Sequence, residues 1–209
     1  MKDLISVMIN PQQITIQYES IYLGQIAPHI RNMIDTNTDL ILTEEEVNNF
    51  FAYYKKSINE TFKNLPLFIG AKPFTIELVE IMAPTILTDT LLAPFKIQMI
   101  FTVTDLRIEE GVHELVIDPK LFFINGNQFI QMAKERLNFT DEQERAIGHF
   151  QEMRIFASES INFISSYPGY IRKGKKAIFI YGIFYDETII RIEKSQYPKI
   201  RIKLELTSK

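Results

Sequence analysis

The 209-residue sequence contains no cysteine, no tryptophan and only three histidines. The absence of cysteine excludes a disulfide framework, thiolate catalysis and every zinc or iron–sulfur site that uses thiolate ligands. The eight glycines form neither a phosphate-binding loop nor a dinucleotide-binding fingerprint, and no Gly-x-Ser-x-Gly nucleophile turn is present. These absences exclude cysteine-based chemistry and the common nucleotide-binding motifs.

The sequence also lacks a run of about 20 apolar residues, the length that a membrane-spanning helix needs. The apolar start of the chain is interrupted at Asn10-Pro11, which is too early for the hydrophobic core of a signal peptide. We therefore expect neither a transmembrane segment nor a signal peptide in this chain.

An excess of charge of one sign is absent overall, because 23 Lys and Arg residues accompany 26 Asp and Glu residues. The net charge of −3 argues against a nucleic-acid partner. The distribution is uneven, however, since residues 167–209 carry ten basic and four acidic residues while residues 1–166 carry 13 and 22. The solvated faces of strands explain the basic segment, and a docking site for anionic lipid or an acidic partner is the alternative.

Alternation of apolar and polar residues predicts strands at residues 14–19, 74–78, 95–103, 112–117 and 200–206. A composition rich in β-forming residues predicts further strands at residues 4–9, 177–181 and 188–192. Helical spacing predicts a short helix from about Gly24 to Ile34 and a longer one whose apolar residues are Val47, Phe50, Phe51, Tyr54, Ile58 and Phe62. Thr43 and Glu46 stand at capping-box spacing before the longer helix.

Residues 127–165 also have helical spacing. Phe129, Ala133 and Leu137 predict a short helix, and Thr140 with Gln143 matches a second capping box. An apolar stripe then predicts a long helix that ends at Tyr167-Pro168-Gly169. The residues of this stripe are Ile147, Phe150, Ala157, Ile161 and Ile164.

Together these patterns predict an α+β fold. We expect an antiparallel β-sandwich-like core with an inserted helix–loop–helix, and a long helix before a C-terminal β-meander. Residues 1–125 form the β-rich domain, with the insertion at about 24–63. Residues 126–209 form a helical segment followed by strands that pack on the same core.

The most specific chemical signal is the acidic segment 35–46, which has five acidic residues and no basic one. In a twelve-residue calcium loop of the EF-hand type, Asp35, Asn37 and Asp39 occupy positions 1, 3 and 5. Ile41 supplies the carbonyl at position 7, and Glu46 supplies the bidentate carboxylate at position 12. Alternate oxygen ligands in a tight turn suit Ca²⁺, so the sequence predicts a Ca²⁺ site formed by these five residues.

Position 6 departs from the pattern, because Leu40 stands where the loop normally has glycine at positive φ. A leucine in that conformation costs about 1–2 kcal/mol. The alternative interpretation is that Thr43 and Glu46 only cap a helix and that the Asp and Asn residues are ordinary loop residues around an empty loop. No second loop of this kind follows, so Leu42 at position 8 is expected to pack on the β-core.

The chain resembles the extracytoplasmic soluble domain of bacterial proteins related to nickel/cobalt permeases of the hydrogenase and urease accessory type. The resemblance lies in the order of four segments: "ISVMINPQQITIQY", "IDTNTDLILTEEE", "LPLFIGAKPFTIELVE" and "PFKIQMIFTV". The resemblance covers about residues 5–120. It implies a loop before a helix and a following β-sandwich, outside the cytoplasm. It carries over only to Asp35, Asn37, Asp39, Ile41 and Glu46, and not to nickel transport itself.

The expected function is therefore a non-enzymatic, extracytoplasmic or membrane-peripheral module with one Ca²⁺ loop. It would serve a membrane or protein partner or a role associated with metal transport. One alternative is a hydrolase-type enzyme that uses carboxylates and a histidine brought together by the fold, since His29, His113 and His149 show no ligand spacing in sequence. The other alternative is a self-assembling structural protein whose edge strands pair between copies.

Overall fold

The computed structural model describes residues 2–24, 26–63, 67–82, 94–103, 105–117, 149–167, 169–172, 176–184 and 199–207. Two helices lie in these ranges, α1 (Ile26–Ile34) and α2 (Glu44–Lys63). The rest of the described regular structure is β: β1 (Lys2–Asn10), β2 (Gln13–Tyr22), β3 (Leu67–Ile69), β4 (Lys72–Phe74), β5 (Ile76–Met82), β6 (Phe95–Val103), β7 (Gly111–Ile117), β8 (His149–Ala157), β9 (Ile161–Tyr167), β10 (Tyr170–Arg172), β11 (Ala177–Phe184) and β12 (Ile200–Leu206).

Seven strands form the larger sheet, in the order β10-β11-β8-β1-β2-β6-β5. The β1–β8 pair is parallel, and the other described pairs of this sheet are antiparallel. Along β1 the side chains of Ile5, Val7 and Ile9 are buried, whereas Ser6 is half-buried and Met8 is exposed on the opposite face. The period of two thus gives this sheet one face toward the core and one face toward solvent.

The smaller sheet has five strands in the order β4-β3-β7-β12-β9, and its described pairs are all antiparallel. In β12 the side chains of Ile200, Ile202 and Leu204 are buried, while Arg201 and Lys203 are exposed between them. Inward-facing side chains of both sheets belong to one hydrophobic cluster. The described fold is therefore β-rich, with two sheets that share a core.

The helix–loop–helix lies between β2 and β3, where the sequence predicts it. Pro28 is in the first turn of α1, a position at which its missing N–H costs no hydrogen bond. Ala27, Ile30 and Ile34 of α1 are buried, as are Val47 and Phe51 of α2. Both helices therefore contribute an apolar stripe to the shared core.

The long helix predicted over residues 147–164 is wrong in the part that the structure describes. Residues 149–157 form β8, and residues 161–167 form β9. In β8, Met153 and Ile155 are buried and alternate with Glu152 and Arg154 on the other face. Since β8 lies between β1 and β11, hydrogen bonds to two distant strands outweigh the local helical spacing.

Other predicted features of this half of the chain differ or lie outside the described residues. Phe129, Ala133, Leu137, the Thr140–Gln143 box and Ile147 lie outside, as does the segment 188–192. The expected C-terminal meander is also wrong for β11 and β12, because these strands belong to different sheets. Within the described ranges, no helix is both long enough and apolar enough to span a membrane.

Candidate functional site

The candidate site is the loop that joins the two helices. α1 ends at Ile34 and α2 begins at Glu44. The backbone N–H of Asp35 donates to the carbonyl of Arg31 at 2.8 Å, and the N–H of Val47 donates to the carbonyl of Thr43 at 3.1 Å. The loop is therefore fixed at both ends by backbone hydrogen bonds of helical type.

Three loop side chains accept hydrogen bonds from backbone N–H groups further along the loop. Asp35 Oδ2 accepts from Leu40 at 2.9 Å, and Asn37 Oδ1 accepts from Asp39 at 2.9 Å. Asp39 Oδ1 accepts from Ile41 at 2.8 Å. Bonds of this kind from Asp and Asn side chains wind a chain into a tight turn. They direct the polar groups at positions 1, 3 and 5 toward the backbone of residues 39–41.

Glu46 closes the loop from the α2 side. Its Oε2 accepts from the N–H and hydroxyl of Thr43 at 3.1 and 2.8 Å, and the N–H of Glu46 donates to Thr43 Oγ1 at 3.2 Å. This reciprocal pair is the capping box that the sequence predicts. Glu46 Oε1 accepts from the N–H and hydroxyl of Thr36 at 2.9 and 3.0 Å. One carboxylate thus joins the two ends of the loop.

The electrostatics of Glu46 follow from these donors. Hydrogen bonds from the N–H and hydroxyl of Thr43 are the main reason that the pKa of Glu46 is lowered from 4.5 to about 2. Burial opposes this change, and hydrogen bonds from Thr36 add to it. The side chain therefore carries a full negative charge at neutral pH. That charge lies in the first turn of α2, where the helix dipole favours an anion.

The backbone turns at two residues with positive φ. Thr38 has φ of 61° and Leu40 has φ of 67°. The sequence predicts positive φ at position 6 of a calcium loop, and Leu40 adopts it without a glycine. The conformation costs about 1–2 kcal/mol for a residue with a side chain of this kind, so the rest of the loop must compensate.

Burial divides the loop into an anchored part and an exposed part. Leu42 is 1 % exposed and belongs to the shared hydrophobic cluster, as expected for position 8. Asp35 is 2 % exposed, and its Oδ1 atom has no hydrogen-bond partner within the described part of the chain. A buried carboxylate oxygen without a donor is destabilising unless water or a cation completes its shell. This oxygen is the feature of the loop that ordinary helix capping does not explain.

The five predicted ligands lie in one loop, but the side chains of Asn37, Asp39 and Glu46 and the Oδ2 atom of Asp35 already accept hydrogen bonds within that loop. Asn37 and Asp39 are exposed, and Asn37 Nδ2 donates to Asp39 Oδ2 at 3.1 Å. Asp35 and Glu46 are buried. Over the described ranges, no three His, Asp or Glu side chains are grouped closely enough to hold a metal ion as they stand. Binding would therefore require some of these internal hydrogen bonds to be exchanged for bonds to the ion.

A second polar cluster lies inside the core and was not predicted. Asp3 accepts from the hydroxyl of Tyr18 at 2.6 Å and from the hydroxyl of Ser20 at 2.8 Å, and all three side chains are fully buried. The sequence signal is present, because Asp3 is in phase with Ile5 and Val7 on the inward face of β1. The Asp3 carboxylate is shielded from solvent, and each of its oxygens accepts a hydrogen bond from a side chain of β2.

A shallow depression on the outer face of the larger sheet also contains carboxylates. Glu19 and Glu152 lie on either side of Leu4, because both residues are cross-strand partners of Leu4. Glu19 pairs with Lys96 at 2.8 Å, and Glu152 pairs with Arg154 at 2.5 Å. Both carboxylates are therefore engaged in ion pairs.

The histidines give no support to a hydrolase site in the described residues. His113 Nε2 forms a hydrogen bond with the carbonyl oxygen of Glu109 at 2.8 Å, which holds the turn before β7. The side chains of His29 and His149 lie outside the described part of the structure.

Comparison with known proteins gives no family for the chain. No family model matches it, and no curated protein matches it. Among solved structures, that of yeast LTA4 hydrolase in complex with bestatin aligns with the whole chain at 8 % identity and a TM-score of 0.27. The chain spans 28 % of the length of that protein. A likeness at this level carries no argument about fold or function.

Proposed function

We propose that residues 35–46 form a Ca²⁺-binding loop in a non-enzymatic module. The side chains of Asp35, Asn37, Asp39 and Glu46 and the carbonyl oxygen of Ile41 would be the ligands. The observation that carries the proposal is the buried Oδ1 atom of Asp35, which lacks a donor within the described residues. Asp35 Oδ2 accepts from Leu40 across the loop, so the same carboxylate already faces the loop interior.

The donor set favours calcium over other cations. It consists entirely of oxygens, and three of the four side chains are carboxylates. Asp35, Asn37, Asp39 and Ile41 would supply one oxygen each, and Glu46 would supply two. These make about six of the six to eight oxygens that Ca²⁺ accepts. Zinc and copper prefer imidazole or thiolate, which the loop lacks, and Mg²⁺ prefers to retain its own waters.

Binding would exchange hydrogen bonds at Glu46 for bonds to the ion. Oε1 of Glu46 now accepts from Thr36, two residues from the end of α1, and Oε2 accepts from Thr43 before α2. A carboxylate that becomes a bidentate ligand must give up part of these contacts. The ion would then replace them as the connection between the two helices.

The cost of this exchange lowers the affinity for the ion, whereas the strain at Leu40 is already present in the free loop. Single loops of low affinity, with Kd values of about 10⁻⁴–10⁻³ M, suit the millimolar Ca²⁺ of extracellular spaces. We therefore place the module outside the cytoplasm or at a membrane surface. There the ion would stabilise the junction of the helices with a sandwich-like β-core, which serves a membrane or protein partner.

Calorimetric titration of chelator-treated protein with Ca²⁺ tests the proposal. Asp35→Asn and Glu46→Gln each remove one negative charge with almost no change in shape. Glu45→Gln is the matched control, because Glu45 is an exposed carboxylate in the same first turn of α2. We expect a one-to-one isotherm for the wild type, at least tenfold weaker binding by both ligand variants, and binding by the control within about twofold of wild type.

Two outcomes contradict the proposal. The absence of any heat for folded wild-type protein at millimolar Ca²⁺ means that the loop is a helix cap without an ion. Equal weakening by all three variants means that Ca²⁺ is attracted by the general negative charge of the segment and has no defined site.

A further inference from the structure

The tip of the acidic loop exposes two adjacent large apolar side chains. Leu40 is 56 % exposed and Ile41 is 58 % exposed, whereas the next residue, Leu42, is 1 % exposed. Leu42 is fixed in the core, so the two preceding side chains are held outward by the folded chain. We refer to Leu40 and Ile41 as the apolar tip.

Neither side chain of the apolar tip is needed for the turn or for the proposed ligands. Leu40 adopts φ of 67°, which glycine would adopt without strain, and Ile41 would bind the ion only through its carbonyl oxygen. The two side chains are adjacent in the chain, so together they form a small exposed apolar patch that contact with a surface outside the chain would bury.

The surroundings of the apolar tip are acidic. Asp39 precedes it, and Glu44 and Glu45 follow it at the start of α2, all three exposed. Without a cation, this charge would repel an anionic surface. A Ca²⁺ ion in the loop would offset part of the charge, and one or two of its coordination positions would remain open to oxygens from outside the chain.

We infer that the apolar tip inserts into anionic lipid surfaces when Ca²⁺ occupies the loop, with lipid phosphate or carboxylate oxygens completing the shell of the ion. This inference rests on the proposed Ca²⁺ site. A lipid surface fits better than a protein partner because two protruding side chains supply far less area than the roughly 1,200–2,000 Å² that a stable protein interface buries. Membrane insertion needs only the apolar side chains and an electrostatic attraction.

Co-sedimentation with vesicles tests the inference. One set of vesicles is pure phosphatidylcholine, and the other contains about one third phosphatidylserine. Each is used with millimolar Ca²⁺ and with chelator. We expect wild-type protein to bind the phosphatidylserine vesicles only with Ca²⁺, because the bridge needs both the ion and anionic headgroups.

Three variants separate the apolar tip from the ion site. Leu40→Gly removes a tip side chain and the strain, so it should bind Ca²⁺ at least as tightly as wild type by calorimetry but bind vesicles about tenfold more weakly. Ile41→Ser should also lose vesicle binding, and its Ca²⁺ isotherm is measured alongside because the carbonyl oxygen of this residue is a proposed ligand. Val112→Ser is the control, since Val112 is 52 % exposed on β7 of the smaller sheet. This change should affect neither Ca²⁺ binding nor vesicle binding.

The outcomes distinguish the inference from the proposed function. If the calorimetric isotherm is present but wild-type protein ignores phosphatidylserine vesicles, or if Leu40→Gly binds them like wild type, the inference is wrong and the Ca²⁺ site stands. Binding to neutral vesicles, or binding in chelator, overturns the Ca²⁺ bridge. If no isotherm is seen, the proposed function fails and the inference fails with it.

Discussion

Replacement of Tyr18 by phenylalanine tests how strongly the buried polar cluster stabilises the larger sheet. The Tyr18 hydroxyl donates to Asp3 Oδ2 at 2.6 Å, a length typical of a charge-assisted O–H···O⁻ bond. Ser20 donates to the other oxygen of the same carboxylate at 2.8 Å. All three side chains are fully buried, so water cannot replace a donor that is removed.

The magnitude follows from the charge and the burial. A hydrogen bond to a charged group contributes about 1.5–3 kcal/mol, compared with about 1 kcal/mol for a neutral pair. The aromatic ring of Tyr18 is unchanged in Tyr18→Phe, so the loss of packing is small. We therefore expect the free energy of unfolding to fall by about 1.5–3 kcal/mol.

Urea denaturation followed by circular dichroism measures this change. Tyr167→Phe is the matched control, since Tyr167 is 64 % exposed and its hydroxyl should contribute less than about 0.5 kcal/mol. A loss for Tyr18→Phe no larger than that of the control would refute the reasoning. It would mean that the hydroxyl does not stabilise the Asp3 carboxylate.

Four further predictions concern stability: two concern its dependence on pH, one concerns packing and one concerns a helix–strand contact. Burial, and then the charge of Asp3, raise the pKa of Tyr18 well above its usual 10.0, so above pH 10 the unfolded chain loses this proton first. The stability difference between wild type and Tyr18→Phe should therefore shrink as pH rises through that range in urea titrations. Because the pKa of Glu46 is lowered to about 2, its contribution to stability is present above about pH 4.5 and is lost toward pH 2. In thermal melts, the melting temperature of Glu46→Gln should therefore fall less than that of wild type between pH 4.5 and pH 2. Leu42→Ala should cost about 2–5 kcal/mol in urea unfolding, while Leu23→Ala, at a site 45 % exposed, should stay within about 0.5 kcal/mol of wild type. Finally, Asn59 Oδ1 accepts a hydrogen bond from the N–H of Leu78 at 3.0 Å, beside the irregular register of β5. Asn59→Ala should therefore lower the free energy of unfolding by about 1–3 kcal/mol. Asn59→Asp keeps an acceptor and should lower it less.

The elements that the sequence predicts correctly are those whose pattern is local. β2, β6 and β12 alternate, β1 is rich in β-forming residues, and α2 has both an apolar stripe and a capping box. In each case the period of burial and the terminal residues agree on one structure. The two helices and these strands could therefore be placed from residue spacing alone.

Residues 149–167 show why the rest could not be predicted. Phe150, Ala157, Ile161 and Ile164 stand at helical spacing, yet they belong to β8 and β9. The register of β8 is set by Ile5 and Val7 of β1, about 150 residues earlier, which pair with Met153 and Ile155. No local pattern contains that information, because the favourable energy comes from pairing with strands that are distant in sequence.

In the candidate site, too, some features follow from neighbouring residues and others depend on distant parts of the chain. The capping box and the need for positive φ at Leu40 can be predicted from twelve residues, and the structure has both. The ligand spacing can be found in the same residues and stays a prediction. The burial of Asp35 is not legible, because it depends on how α1 packs against the sheet. Yet this burial makes the difference between a solvated aspartate and an oxygen in need of a partner.

The double use of Glu46 explains why sequence patterns alone leave a helix cap and a calcium loop indistinguishable. A capping box needs Glu or Gln three residues after Ser or Thr, a calcium loop needs Glu at position 12, and here Glu46 satisfies both patterns. The cap leaves Oε1 available for other partners, and the fold directs it to Thr36 at the opposite end of the loop. This second contact is not part of the capping box, and it is one of the hydrogen bonds that Glu46 would have to exchange to become a bidentate ligand.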